Sequence, residues 1–208
     1  MCRRGMLAVI ALLFVTSATN AALLTSPQWR SAIVPGTPAG YTVWDLYISF
    51  DEQLFGQQMV VELTSGSIYQ NASFGTETAP TDALIPIFPE VASDSFVTMG
   101  GFTSGTSSSV LVVGGSTEIA GKNGPKKFDT QGVNIAWAPA PGVVINGGDD
   151  FPVARLTFSN DARGTIYFFS NAGGTGQIFE GQVPPLPEPT TAALVGLGLL
   201  AAATRRRA

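Results

Sequence analysis

The clearest alternation of apolar and polar positions runs from Tyr41 to Phe50. There Trp44, Leu46, Ile48 and Phe50 fall on one face, and Tyr41, Val43, Asp45, Tyr47 and Ser49 on the other. A period of two is the signature of a strand with one buried face. Gln58–Leu63 and Ser67–Phe74 read as further strands, and Thr64-Ser65-Gly66 between them has the composition of a hairpin connection. Strands are also predicted over Ser95–Met99, Ser109–Val113, Val133–Ala138, Val153–Phe158, Thr165–Ser170 and Gln177–Val183. In Val153–Phe158, Ala154, Leu156 and Phe158 oppose Val153, Arg155 and Thr157, and the turn Ser159–Gly164 is expected to close an antiparallel hairpin with the strand that follows. No sustained helical period appears between the two ends of the chain.

Many short strands at turn-rich spacing predict an all-β fold, an antiparallel two-sheet sandwich with Greek-key or jelly-roll connections. The irregular stretch Gly75–Asp94 is long enough to be a functional loop. Its Leu84, Ile85, Ile87 and Phe88 are expected instead to pack inward and plug an open edge of the sandwich.

The ends of the chain follow a different pattern. Arg3-Arg4, the apolar run Met6–Val15 and the small residues up to Ala21 form a signal peptide, with cleavage after Ala21 or after Ala18. The apolar run is too short to cross a bilayer. At the other end, Pro184 and Pro185 precede Pro187-Glu188-Pro189, an apolar run over 190–204, and Arg205-Arg206-Arg207. Proline forbids helix before Pro189, and the arginines stop the apolar segment at a cytoplasmic face. A helix over 190–204 would measure about 22 Å against a hydrocarbon core of about 30 Å, so it fits a bilayer only with snorkelling or thinning. The domain organisation expected is therefore a signal peptide over 1–21, a β-sandwich over 22–183 and a tail over 184–208 carrying a short transmembrane helix.

The ordered set of Pro187-Glu188-Pro189, short apolar helix and Arg205–Arg207 resembles the PEP-CTERM sorting signal of Gram-negative bacteria that make extracellular polysaccharide. The resemblance implies recognition by an exosortase, with Pro187, Glu188 and Pro189 as the residues read. It also implies an inner-membrane intermediate held through 190–204, then passage to the outer surface or the extracellular space. A plain membrane anchor is the alternative on the same residues. The central region shows a weaker resemblance to cohesin-like scaffold domains, through the hydrophobic patterns of Val153–Phe158 and Asp94–Met99.

Charge and composition narrow the chemistry. The chain has no histidine, and its one cysteine, Cys2, lies in the signal peptide. Triads, His-ligated zinc and thiolate chemistry are thereby excluded from the exported region. Removing Arg3, Arg4 and Arg205–Arg207 takes the basic count from 11 to 6, and removing Glu188 takes the acidic count from 15 to 14, so the exported region carries −8. So few scattered cations build no phosphate-tracking stripe, and nucleic acid is not an expected partner. Lys122, Lys126 and Lys127 form the one basic cluster, in a turn-like segment.

A glycosidase would need two carboxyl groups facing each other at about 5–9 Å. The adjacent pairs Asp51-Glu52 and Asp149-Asp150 are expected in turns, and no catalytic spacing stands out, so the region is read as non-enzymatic. Asn146-Gly147-Gly148-Asp149-Asp150 gathers hard oxygen donors on one turn, which makes Asp149 and Asp150 candidate calcium ligands beside the simpler reading of an acidic turn. Trp29, Trp44 and Trp137 are candidate sugar-stacking platforms, with core packing the simpler role for each. Asn71-Ala72-Ser73 matches a glycosylation acceptor, a weak signal in a bacterial chain. The expected function is an exported surface or matrix protein with a structural, biofilm or extracellular-polysaccharide role. The runner-up is a carbohydrate-binding or calcium-dependent adhesion module, and a carboxylate glycosidase comes third.

Overall fold

A computed structural model describes residues 23–185. The signal segment over 1–21, the 190–204 helix, and the residues Pro187, Glu188, Pro189, Arg205, Arg206 and Arg207 lie outside the described residues. The described chain is almost entirely antiparallel β, as its alternation predicts. The strands are β1 (Gln28–Ala32), β2 (Tyr41–Ser65), β3 (Phe96–Val97), β4 (Val110–Gly114), β5 (Lys127–Asp129), β6 (Gly132–Pro139), β7 (Asn146–Ser159), β8 (Arg163–Ala172) and β9 (Thr175–Val183), with a 3-10 turn at Pro89–Ser93. All nine strands are hydrogen-bonded into one continuous sheet.

That continuity depends on β2. Two strands were expected here, Tyr41–Phe50 and Gln58–Leu63, yet the link Asp51–Gln57 stays extended and joins them. The first half of β2 pairs with β1 and β7, and the second half with β6 and β8. At about 3.3 Å per residue a straight strand of 25 residues would reach about 80 Å. Its two ends nevertheless meet at one turn: Tyr41 pairs with Ser159 and Ser65 with Arg163. Tyr41 Oη lies 3.0 Å from Ser67 Oγ. β2 is therefore folded back on itself, and its halves form two ladders that face each other. Register shifts at Leu46/Tyr47, Ile48/Phe50, Phe50/Gln53 and Leu54/Gly56 supply the bend, because each extra residue on one strand kinks it and raises its twist.

One hydrophobic cluster fills the space between the ladders. It takes Trp44, Leu46, Ile48 and Phe50 from the first half of β2 and Met59 and Val61 from the second, with Leu156 and Phe158 of β7, Ile135 and Trp137 of β6 and Phe168 of β8.

Several local expectations are corrected. Ser67–Phe74 is not a strand: only Ile68 forms an isolated bridge, to Phe158. β7 and β8 do not form a hairpin, because the turn between them carries the chain from one ladder to the other. The tight hairpin lies one strand later, where Gly173 and Gly174, at φ 61° and 79°, join β8 to β9. Both positions are left-handed, the geometry that suits the twist of the flanking strands. Strands β1 and β5, which carry one large apolar residue each, Trp29 and Phe128, show no alternation and were not predicted.

The outer face of the first ladder is buried under the 3-10 turn and Phe102, which flank β3, itself an edge strand paired with β7. Asp45 and Arg155, 2% and 7% exposed, lie beneath this cover with Thr157. The stretch Ser93–Met99 is buried throughout. Thr157 N–H donates to Ser95 Oγ at 2.9 Å, and Thr157 Oγ1 donates to the Ser93 carbonyl at 2.6 Å. In the loop expected to act as a plug, the buried apolar residues are Pro80 and Val91, while Ile87 stands 67% exposed. Leu84, Ile85 and Phe88 are half-buried, and Phe88 stacks on Phe74 at 4.4 Å between centroids.

Candidate functional site

The residues singled out by sequence are scattered, and most are already engaged. Asp149 and Asp150, expected in a turn, stand in β7. Asp149 Oδ1 accepts from Ser49 Oγ at 2.7 Å. Asp150, in the left-handed region at φ 49°, pairs instead with the Arg30 guanidinium. Hydrogen bonding to Arg30 holds the Asp150 carboxyl below its ordinary range. Arg30 also lies over the Tyr47 ring, 4.6 Å from its centroid. The two carboxylates thus serve different partners, and among the described residues no three acidic side chains gather in the manner of a metal site. Asp51 and Glu52 also lie in a strand, exposed at the bend of β2, where alternation directs neighbours to opposite faces.

The three lysines do not combine into a cationic patch. Lys122 pairs with Glu62 and lies over Tyr167, Lys126 pairs with Glu77 at 2.9 Å, and Lys127 pairs with Asp129 at 3.6 Å. Trp44 and Trp137 belong to the core, Trp137 beside Phe168 at 6.3 Å. Trp29 is half-buried on the edge strand β1, a strand the alternation did not reveal.

Two concave surfaces among the described residues are lined by apolar side chains from several strands. The first is a groove of about 330 Å³ between the edge strands β1 and β9, walled by Trp29, Ile166, Phe168, Phe179 and Pro185. It is an open seam of the core. Gly181 faces it without a side chain, and a Cβ built there would meet nothing within 4 Å. The chain leaves β9 through the buried Val183 and reaches the buried Pro185, so the last described residue is itself a wall of this groove.

The second is an open cleft of about 720 Å³ on the outer face of the second ladder. Its floor follows one cross-strand row, Ala136 on β6, Gln58 on β2, Phe169 on β8 and Ile178 on β9. Gln58 anchors one rim: its Oε1 accepts from Ser116 Oγ, Thr117 N–H and Glu118 N–H, each at 2.9 Å, which holds that loop against the sheet. Phe55 and Val113 form the apolar sides, and Asn171 lies at the end nearest the β8–β9 turn. Periodicity alone did not disclose this cleft, because its residues come from five strands whose order is not written in the chain. The available signal was the apolar content of supposedly solvent-facing positions such as Val113 and Ile178.

No curated protein and no solved structure matches the chain. Residues 185–207 match the PEP-CTERM protein-sorting motif, so Pro185 is both a wall of the β1–β9 groove and the first residue of a sorting signal that supports export and exosortase recognition.

Proposed function

We infer that the β domain is a non-catalytic surface or matrix module, exported behind a sorting tail and working in extracellular-polysaccharide or biofilm architecture. The observation that carries this reading is the direct passage from fold to signal. The matched motif begins at Pro185, two residues after β9 ends, so the folded domain is the cargo the tail delivers. Support for a non-catalytic role comes from how the candidate carboxylates are used. Of the two pairs weighed for catalysis, Asp149 and Asp150 each satisfy a separate partner within the fold, and Asp51 and Glu52 stand exposed at the bend of β2.

The test is fractionation of cells expressing the full chain. The intact chain is expected in the extracellular matrix fraction, and the chain lacking Pro187–Pro189 in the inner membrane. Unchanged release of the deleted chain would overturn the sorting step. A matrix that keeps its mass and cohesion in cells lacking the protein would overturn the architectural role.

A further inference from the structure

Four of the nine large apolar side chains exposed among the described residues share the outer face of the second ladder. They are Phe55 at 47%, Leu111 at 43%, Val113 at 60% and Ile178 at 50%. A concentration of this kind on one sheet face marks a recognition surface. The Phe169 ring is central to it. A Cβ at Gly176 would fall 2.4 Å from that ring, so glycine on the neighbouring strand lets the ring lie down over β9. The result is an aromatic surface bordered by Phe55 and Ile178 in a cleft of about 720 Å³.

The polar groups of the cleft narrow the ligand. Asn171 lines it, and its side-chain Oδ1 is buried with no hydrogen-bond partner. A buried acceptor of this sort calls for a donor from whatever enters. A purely apolar ligand leaves that cost in place, whereas a ligand with hydroxyl groups beside C–H faces removes it while covering the aromatic rings. Lysine and arginine are absent from the lining, and its one charged residue is Glu118. In a region carrying −8 overall, that disfavours acidic ligands and also disfavours a second copy of the same acidic chain.

We propose that this cleft binds a neutral carbohydrate chain, with sugar rings laid on Phe169 and Phe55 and a hydroxyl donating to Asn171 Oδ1 once that side chain turns outward. The proposal names a ligand class for the matrix role, and it is tested by binding alone, independently of sorting.

The experiment is native affinity electrophoresis of the full chain through gels containing dextran, laminarin or galactomannan as neutral probes, with alginate as the anionic control. Retardation by at least one neutral polysaccharide and none by alginate is expected. Phe55→Ala should weaken that retardation by about tenfold, the equivalent of losing the cover of one exposed aromatic ring. Asn171→Ala should weaken it without changing the melting temperature, and Ile87→Ala, which removes an equally exposed apolar side chain elsewhere, should leave it unaltered. Three results would overturn the proposal: no retardation by any neutral probe, equal loss in the Ile87→Ala control, or a dimer in size-exclusion chromatography that Phe55→Ala dissociates. The last would identify the face as a contact between copies of the chain.

Discussion

Arg155 and Asp45 meet in a two-pronged ion pair beneath the 3-10 turn, Nε donating to Oδ1 at 2.7 Å and Nη2 to Oδ2 at 2.8 Å. The third guanidinium nitrogen, Nη1, donates to the Ala92 carbonyl at 2.8 Å, and the Phe102 ring covers the plane at 4.1 Å. The pair joins two adjacent strands, since Asp45 and Arg155 are register partners. It also fastens the covering segment to them. Removing one member leaves the other buried and unpaired, so Asp45→Leu and Arg155→Met are each expected to cost about 3–5 kcal/mol. The double change Asp45→Leu with Arg155→Met removes both charges and should cost much less than the sum. Urea unfolding of the four proteins checks this, and additive losses would contradict it.

Asp94 gives the fold a pH dependence of defined sign. Burial raises its carboxyl from 3.8 to about 6, against the opposing effect of N–H donors including those of Asn71 and Thr76. A folded-state value above the unfolded one means that the native protein binds the proton more tightly. Stability should therefore rise as pH falls from about 7 to about 4, by on the order of 2–3 kcal/mol. Asp82 and Asp150 are held below their ordinary range and lose their contribution only at lower pH, outside this window. Asp94→Asn should flatten the profile between pH 4 and 7. A wild-type urea midpoint that falls on acidification across that interval would refute the assignment.

Gly66 sits where the end of β2 meets the turn that carries the chain between ladders. Its φ is 74°, and a Cβ would lie 2.4 Å from Ala162 Cα and 2.5 Å from Ala162 N. Both conformation and space therefore oppose any side chain. Gly66→Ala should cost about 2 kcal/mol or more. Gly121→Ala, at a similar φ of 74° but with nothing within 4 Å, separates the two causes: it should cost only the conformational part. Thermal unfolding of both variants decides, and equal losses would show that the contact with Ala162 contributes nothing.

Arg30 already neutralises Asp150, and Ser49 already occupies Asp149. Millimolar calcium is therefore expected to leave the melting temperature of the full chain unchanged. A rise that disappears in Asp149→Asn with Asp150→Asn would instead establish the pair as calcium ligands.

The alternation from Tyr41 to Phe50 was enough to orient the first half of β2, because burying one face of a strand is a local property of every second side chain. At Asp51–Gln57 the local pattern misleads. Its polar residues and Gly56 look like a break, yet they extend and bend because partners on β7 and β8, distant in sequence, take up their backbone hydrogen bonds. Arg155 lay correctly opposite Leu156, but burial on both faces of β7 depends on a segment some sixty residues upstream folding over it.

By itself, then, the sequence determined the β class of the domain, the absence of histidine and of any cysteine beyond Cys2, and the sorting signal that begins at Pro185. These are composition, short-range periodicity and linear order, all of them local. Only the tertiary structure decided that β2 closes on itself, that Asp45 and Arg155 are interior, that Asp149 and Asp150 are engaged by separate partners, and that Phe55, Phe169, Ile178 and Asn171 share one cleft. Each of these depends on contacts between distant parts of the chain, set by which edges pair and which faces must be kept from water.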